Sequence, residues 1–224
     1  MLSIIMPVYN QWNFTRNILN AFYIFDPYDW ELIIISDGST DETNFFLKQI
    51  NHKNIRVVIQ DNIGVNATWN KGILLAQYEY VCVINNDIEF LDDTFTQLIN
   101  FDNSVYITTA LELRTFKKRE ELIPHHYSKK YSIACWMIKK SQWGLLPIPE
   151  TMKIFCDNYL YWKAKKCGGI VNWCAVVHHY TSQTVLSLPL LSSIDIDDKI
   201  EYKNICKLEF NDPLVANIID DKPV

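Results

Sequence analysis

The chain has 224 residues, 49% of them hydrophobic and 21% charged, with a formal net charge of −5. That length can bury the core of one domain, and the acidic balance excludes a general basic field for gripping nucleic acid. No apolar run reaches membrane-span length, and Met1-Leu2-Ser3-Ile4 enters a strand pattern with no basic leader, so a cytoplasmic protein of a cell or virus-infected host is expected. The first predicted element is the strand Ile4 to Asn10. A helix follows, with Phe14, Ile18, Leu19 and Phe22 at helical spacing. The second strand, Leu32-Ile33-Ile34-Ile35-Ser36, gives way at Asp37-Gly38. Ser39 and Glu42 have capping-box spacing, which predicts a helix to about Ile50. Ile55 to Gln60 is a third strand, and Asn66 to Leu75 a helix with Ala67, Trp69, Ile73 and Leu74 as apolar contacts. The strand Tyr80 to Asp87 comes next, then a short helix capped by Asp92 or Asp93 and ending near Asn100. Repeated strand–helix units of this length predict parallel pairing with right-handed crossovers.

The second half is less regular. Val105 to Leu113 and Ser132 to Lys139 read as strands. Between them runs a polar connection holding Arg114, Lys117, Lys118, Arg119, Lys129 and Lys130. It reads first as a solvated loop, and alternatively as a flap that closes over a diphosphate or meets an anionic acceptor. Asp157 to Lys166 is a predicted helix stopped by Gly168-Gly169. Ile170 to Val177 is a strand that delivers His178-His179. From about Ser187 an acidic tail begins, with Asp195, Asp197, Asp198, Asp212, Asp220 and Asp221. Six cysteines include no Cys-x-x-Cys pair, which argues against structural zinc and for a reduced compartment.

Three apolar runs thus end in Asn or Asp, at Asn10, Asp37 and Asp87. In an open α/β sheet such ends line one edge, and ligands bind there. A carboxylate at Asp87 flanked by the amides of Asn85 and Asn86 is a seat for a hard cation and its phosphate partner.

Four segments, in order, carry a resemblance: Ser3-Ile4-Ile5-Met6-Pro7-Val8-Tyr9-Asn10; Ile34-Ile35-Ser36-Asp37-Gly38-Ser39-Thr40-Asp41; Asn62-Ile63-Gly64 with Asn70-Lys71-Gly72; and Asn85-Asn86-Asp87. They cover about half the chain and resemble the nucleotide-sugar-binding half of the family-2 inverting glycosyltransferases, which have the GT-A fold. The resemblance implies a mostly parallel central sheet flanked by helices, with a less regular acceptor side. It implies a single domain, 1–224, divided into a nucleotide-sugar half (1–103), an acceptor half (104–186) and an acidic extension (187–224).

It also implies roles. Asp37 would accept a hydrogen bond from the nucleotide base, with Pro7, Tyr9 and Asn10 flanking base and ribose. Gly38, Asn62, Gly64, Asn70, Asn85 and Asn86 would complete the nucleotide-sugar site. Asp87 stands where the family places the last Asp of Asp-x-Asp, a ligand of Mn2+ or Mg2+, although Asn85 replaces the first Asp. Asp157, in Phe155-Cys156-Asp157-Asn158-Tyr159-Leu160, resembles the catalytic-base motif with Cys156 in place of the usual Glu. Lys163 stands near the usual arginine. One of the two histidines would complete the metal shell. Neighbours on a strand face opposite ways, and His178 is the one expected to face the metal. Trp136 lies where the acceptor-side strand runs and would either stack on a sugar or belong to the core. Trp69 replaces a common Arg, which removes one phosphate contact.

The expected activity is transfer of a sugar from a nucleoside-diphosphate sugar, with UDP favoured, to a hydroxyl acceptor, in the first place a glycan. Two alternatives remain at the sequence level. One is the same chemistry on a nucleobase in DNA, which the acidic charge disfavours. The other is a non-catalytic module that binds sugar nucleotide or glycan.

Overall fold

The computed structural model describes residues 1–24, 30–91, 93–100, 107–113, 133–144, 147–152, 156–166, 171–180 and 204. Its elements are β1 (Leu2–Val8), α1 (Trp12–Ile24), β2 (Trp30–Asp37), α2 (Thr43–Leu47), β3 (Ile55–Gln60), α3 (Val65–Leu75), β4 (Tyr80–Ile84), β5 (Ile88–Phe90), α4 (Thr94–Ile99), β6 (Ile107–Leu113), β7 (Cys135–Lys139), α5 (Lys140–Trp143), α6 (Cys156–Lys166) and β8 (Val171–His179). The described strands form one sheet in the order β3-β2-β1-β4-β7-β6-β8-β5. β3, β2, β1 and β4 run parallel. β7 is antiparallel to β4 and β6, β8 is parallel to β6, and β5 is antiparallel to β8.

The central strands are continuous apolar runs because both sheet faces are covered. Alternate residues go to opposite sides. Ile5, Ile33, Ile35, Val81, Val83, Trp136 and Ile138 pack with Trp69 and Ile73 of α3 and with Tyr159 and Leu160 of α6. Ile4, Met6, Leu32, Ile34, Cys82 and Met137 pack with Ile18, Leu19 and Phe22 of α1, Leu47 of α2 and Leu98 of α4. Pro7 sits in β1 without costing a ladder bond to β4, whose register with β1 stops at Ile5–Val83. α3 lies close on the sheet at Gly72, where a Cβ would overlap Ile5 Cγ2 and stand 3.3 Å from Ile35 Cδ1.

Several expectations change. The capping box does not form. α2 starts at Thr43 with Glu42 in the cap position and no side-chain cap bond, and it is only five residues long. Ser39 Oγ is instead engaged by the Asn10 backbone N–H, which donates to it, and by Ser36 Oγ, whose own proton goes to Asn44 Oδ1. The strand expected through Asp87 ends at Ile84, and a separate strand, β5, follows the Asn85–Asp87 turn. Asp93 occupies the cap position of α4 without a side-chain cap bond, and Asp92 lies outside the described residues. So do the basic connection at 114–130 and, apart from Asn204, the acidic stretch from Ser187. Among the described residues no helix is long and apolar enough to cross a membrane.

Candidate functional site

Strand direction gathers the site. β1, β2, β3 and β4 are parallel, so Tyr9-Asn10, Asp37, Gln60 and Asn85–Asp87 all leave the sheet at one edge. β8 runs the same way, because two antiparallel steps and one parallel step connect it to β4. Its last residues, His178-His179, therefore reach that edge too. α6 ends four residues before β8 begins at the opposite edge. Asp157 is the second residue of α6. The Asp157 side chain lies outside the described set.

The first two turns are locked together. Asn10 and Gln11 both have positive φ, 58° and 63°, a conformation Asn tolerates and Gln rarely adopts. The lock stabilises it. Asn10 Oδ1 accepts from the Thr40 N–H at 2.6 Å and the Asp41 N–H at 3.3 Å, and the Gln11 N–H donates to Asp41 Oδ2 at 2.9 Å. Trp12 stacks on Phe46 with ring centres 4.8 Å apart, joining α1 to α2. Strained backbone concentrates at functional sites, and this pair flanks the end of β1, where Tyr9 is half-exposed.

Asp37 is buried, and its carboxylate organises the loop into α3. Oδ1 accepts from Gln60 Nε2 at 2.9 Å and the Ile63 N–H at 2.9 Å, and Oδ2 accepts from the Gly64 N–H at 3.0 Å. Gly38, at φ +77°, is required twice over. Its conformation favours glycine, and a Cβ would lie 2.7 Å from the backbone nitrogen of Asn62. Gly64 takes the cap position of α3 at φ 93°. The Asn62–Gly64 turn is thus held by Asp37, and Asn62 itself is exposed.

Asp87 is 6% exposed, and its Oδ1 lies 3.2 Å from Nε2 of His179. It is His179, and not the expected His178, that stands beside Asp87. In the β5–β8 register Ile88 pairs with His179 and Glu89 with His178. His179 therefore meets Asp87, while the His178 ring packs edge-on against Tyr180 at 4.5 Å. The Tyr180 N–H donates to the Asp87 carbonyl at 2.9 Å, and its hydroxyl donates to Glu89 at 3.0 Å. Burial, then the Glu89 hydrogen bond and charge, hold the Tyr180 phenol above its ordinary range. Asn86 is buried, with Nδ2 donating to Thr15 Oγ1 at 3.2 Å, and the Asn85 N–H donates to the Ala134 carbonyl at 2.7 Å.

The Asp87–His179 pair fits a divalent cation. Adjacent ligands of a six-coordinate ion with bonds of ~2.1 Å stand roughly 3 Å apart, close to the 3.2 Å observed. A carboxylate oxygen beside an imidazole suits Mn2+. No third His, Cys, Asp or Glu joins them among the described residues.

Other expected residues do other work. Trp136 is fully buried on β7, an interior strand between β4 and β6, and packs between Trp69 and Trp143. It is a core residue and cannot stack on an acceptor. Asn70 Nδ2 donates to the Ile148 carbonyl at 3.0 Å, and Asn66 Nδ2 donates to that of Met152. These two asparagines, one turn apart, staple α3 to the segment that leads to α6. Asn70 is therefore a structural residue here rather than part of the Asp37 cluster. Lys163 Nζ lies over the Tyr159 ring at 5.8 Å. Gln60 and Thr15 were not singled out from the sequence, Lys71 was quoted only within the Asn70-Lys71-Gly72 segment, and His179 was named only as the alternative to His178. Gln60, as the last residue of a parallel strand, carried the same edge signal as Asp37.

A mostly parallel sheet covered by helices on both faces, with acidic and amide groups along its carboxyl edge, is here a GT-A glycosyltransferase fold. The chain superposes with a TM-score of 0.65 on the mannosyltransferase PcManGT of Pyrobaculum calidifontis, solved with GDP-Man and Mn2+, at 15% identity over 81% of this chain and 57% of that one. Against residues 1–349 of S. aureus TarS, solved with UDP-GlcNAc, the TM-score is 0.63 at 17% identity, over 91% of this chain and 66% of that one. The chain belongs to glycosyl transferase family 2, whose model matches residues 3–166. A curated relative, the putative colanic acid biosynthesis glycosyl transferase WcaA of Escherichia coli K12, is 31% identical over 182 residues, which cover 75% of this chain and 59% of the relative. The chain spans smaller shares of other curated relatives, 16% of one and 29% of another. The fold and family expected from the four ordered segments are both met.

Proposed function

We propose that the chain is an inverting glycosyltransferase that moves a sugar from a nucleoside-diphosphate donor, a UDP-sugar in the first place, to a hydroxyl of a glycan acceptor in the cytoplasm. The observation that carries this is the pairing of Asp87 with His179 at the edge where Asp37 also emerges. β1 lies between β2 and β4, so the strands that lead to Asp37 and to the Asn85–Asp87 turn are two spacings apart, roughly 10 Å. That separation suits a base at one end and a diphosphate at the other. Solved neighbours that hold GDP-Man with Mn2+ and UDP-GlcNAc support a donor of this class.

Asp37 would receive the base beside Pro7, Tyr9, Asn10 and Gly38. Asp87 and His179 would hold Mn2+ or Mg2+, with the remaining positions left to diphosphate and water oxygens. When bound, the cation balances charge on the departing diphosphate. The acceptor oxygen attacks the anomeric carbon as the bond to the diphosphate oxygen breaks. Asp157, at the start of α6, takes the hydroxyl proton. Inverted glycoside and nucleoside diphosphate leave. Much of the acceleration comes from holding donor and acceptor in line. Residues 1–103 would serve the donor, 104–186 the acceptor, and 187–224 would form an extension.

A thermal-shift panel of UDP, GDP, CDP and ADP and their sugars, with and without Mn2+, tests the donor site. A ligand at about a hundred times its Kd stabilises by ~2.7 kcal/mol, which raises Tm by several degrees. Asp157→Asn should keep that shift while turnover falls by roughly a hundredfold or more. Unchanged turnover would remove Asp157 as the base, and no shift with any nucleotide would remove the donor site.

A further inference from the structure

β3 ends on Gln60, one strand outward from Asp37, and the Gln60 amide is gripped on both sides. Lys71 Nζ, from α3, donates to Gln60 Oε1 at 2.6 Å. Gln60 Nε2 donates to Asp37 Oδ1 at 2.9 Å and to Thr68 Oγ1 at 3.0 Å. Only one orientation satisfies these partners. A flipped amide would set its oxygen against the Asp37 carboxylate and its NH2 against the Lys71 ammonium. Lys71 therefore dictates that Gln60 presents a donor to Asp37.

The consequence falls on what Asp37 has left to offer. An ionised carboxylate has about four acceptor positions. Gln60 and the Ile63 N–H occupy both of those on Oδ1, and the Gly64 N–H takes one on Oδ2. One position remains, on Oδ2. Asp37 as a residue is 5% exposed, and with three acceptor positions filled it has a single acceptor left to offer.

We infer that Lys71 and Gln60 are positioning residues for the donor nucleobase. Through Gln60, Lys71 aims the one remaining acceptor of Asp37, which selects a nucleoside diphosphate whose base offers a ring N–H. Uracil and guanine offer one at that edge; cytosine and adenine present a bare ring nitrogen there. The inference rests on the proposed donor site at Asp37. A plainer role for Lys71 would be to tie α3 to β3, and one substitution separates the two. Gln60→Glu keeps an acceptor for Lys71, and so keeps the tie, but it removes the donor to Asp37.

The test is isothermal titration of UDP, CDP, GDP and ADP, each with Mn2+, into the full chain and its variants. The native chain should bind UDP over CDP, or GDP over ADP. Gln60→Glu should bind the preferred nucleotide about tenfold more weakly, the worth of a hydrogen bond to a charged group, and lose most of the preference. Lys71→Met should do the same, and Lys71→Arg, which can still donate to Gln60 Oε1, should restore it. Native affinity and preference in Gln60→Glu, or a Lys71→Met variant altered only in Tm, would overturn the relay while leaving the donor site standing. A native chain that binds none of the four overturns the donor site and this inference together.

Discussion

Asp87 and His179 are 92 positions apart in sequence and 3.2 Å apart in space. Asp87 was legible because it closes an apolar run at a polar turn. Which histidine would meet it was not, because the answer depends on the register of β5, a three-residue strand with no sequence signal of its own. Asp37 was legible as a turn carboxylate, but its three protein donors come from the end of β3 and the loop after it, more than twenty positions later. Trp136 stayed ambiguous because a tryptophan looks alike in a core and on a sugar platform; the strand order decides for the core. Tyr180 offers a check on the local geometry beside Asp87. Its phenol is held above 10.0 by burial first and by Glu89 second. The neutral form is thus favoured in the folded chain. Stability from this contact is fully present below the unfolded pKa near 10 and is lost as pH rises through the higher folded value. A phenolate absorbance titration of the native chain minus Tyr180→Phe should show this late midpoint, and Glu89→Gln should move it back down. A midpoint indifferent to Glu89 would place the hydroxyl elsewhere.

At the scale of elements, α3 joins the two sides of the site. It starts on the loop held by Asp37, lies on β1 through Gly72, and donates from Asn66 and Asn70 to the segment before α6. Its last turn is closed by Lys140 Nζ, which donates to the carbonyls of Leu74 at 3.1 Å and Ala76 at 2.5 Å, a favourable place for a cation. The helix itself was visible in the spacing of Ala67, Trp69 and Ile73. The close approach at Gly72 was not, since a glycine within a helical pattern signals several things. Gly72→Ala would gain helix propensity of up to about 1 kcal/mol but must displace the buried, β-branched Ile5. The expected net loss is about 1–3 kcal/mol, read as a lower urea midpoint at unchanged slope. Equal or higher stability would mean that α3 sits farther from the sheet. The capping box failed for a related reason. Ser39 and Glu42 matched a local rule, but Ser39 had a stronger use in tying β1 to β2.

For the whole molecule, the parallel half from β1 to β4 followed from alternation of apolar runs and helical spacing. The antiparallel insertion of β7 did not, because pairing partners in a mixed sheet are set by topology rather than by any one segment. That insertion carries β8 round to run parallel with β4, and so brings His179 to the edge already holding Asp37 and Asp87. A donor nucleotide bridging Asp37 and a cation on Asp87 is what this convergence would serve. The direct measurement is isothermal titration of the nucleotide selected by the thermal-shift panel, with and without Mn2+, into the native chain and Asp87→Asn. Mn2+ should tighten binding to the native chain by about tenfold or more, since a lost charged contact costs at least ~1.4 kcal/mol, and should have little effect on the variant. Equal Mn2+ enhancement in both would show that the cation is held somewhere other than Asp87.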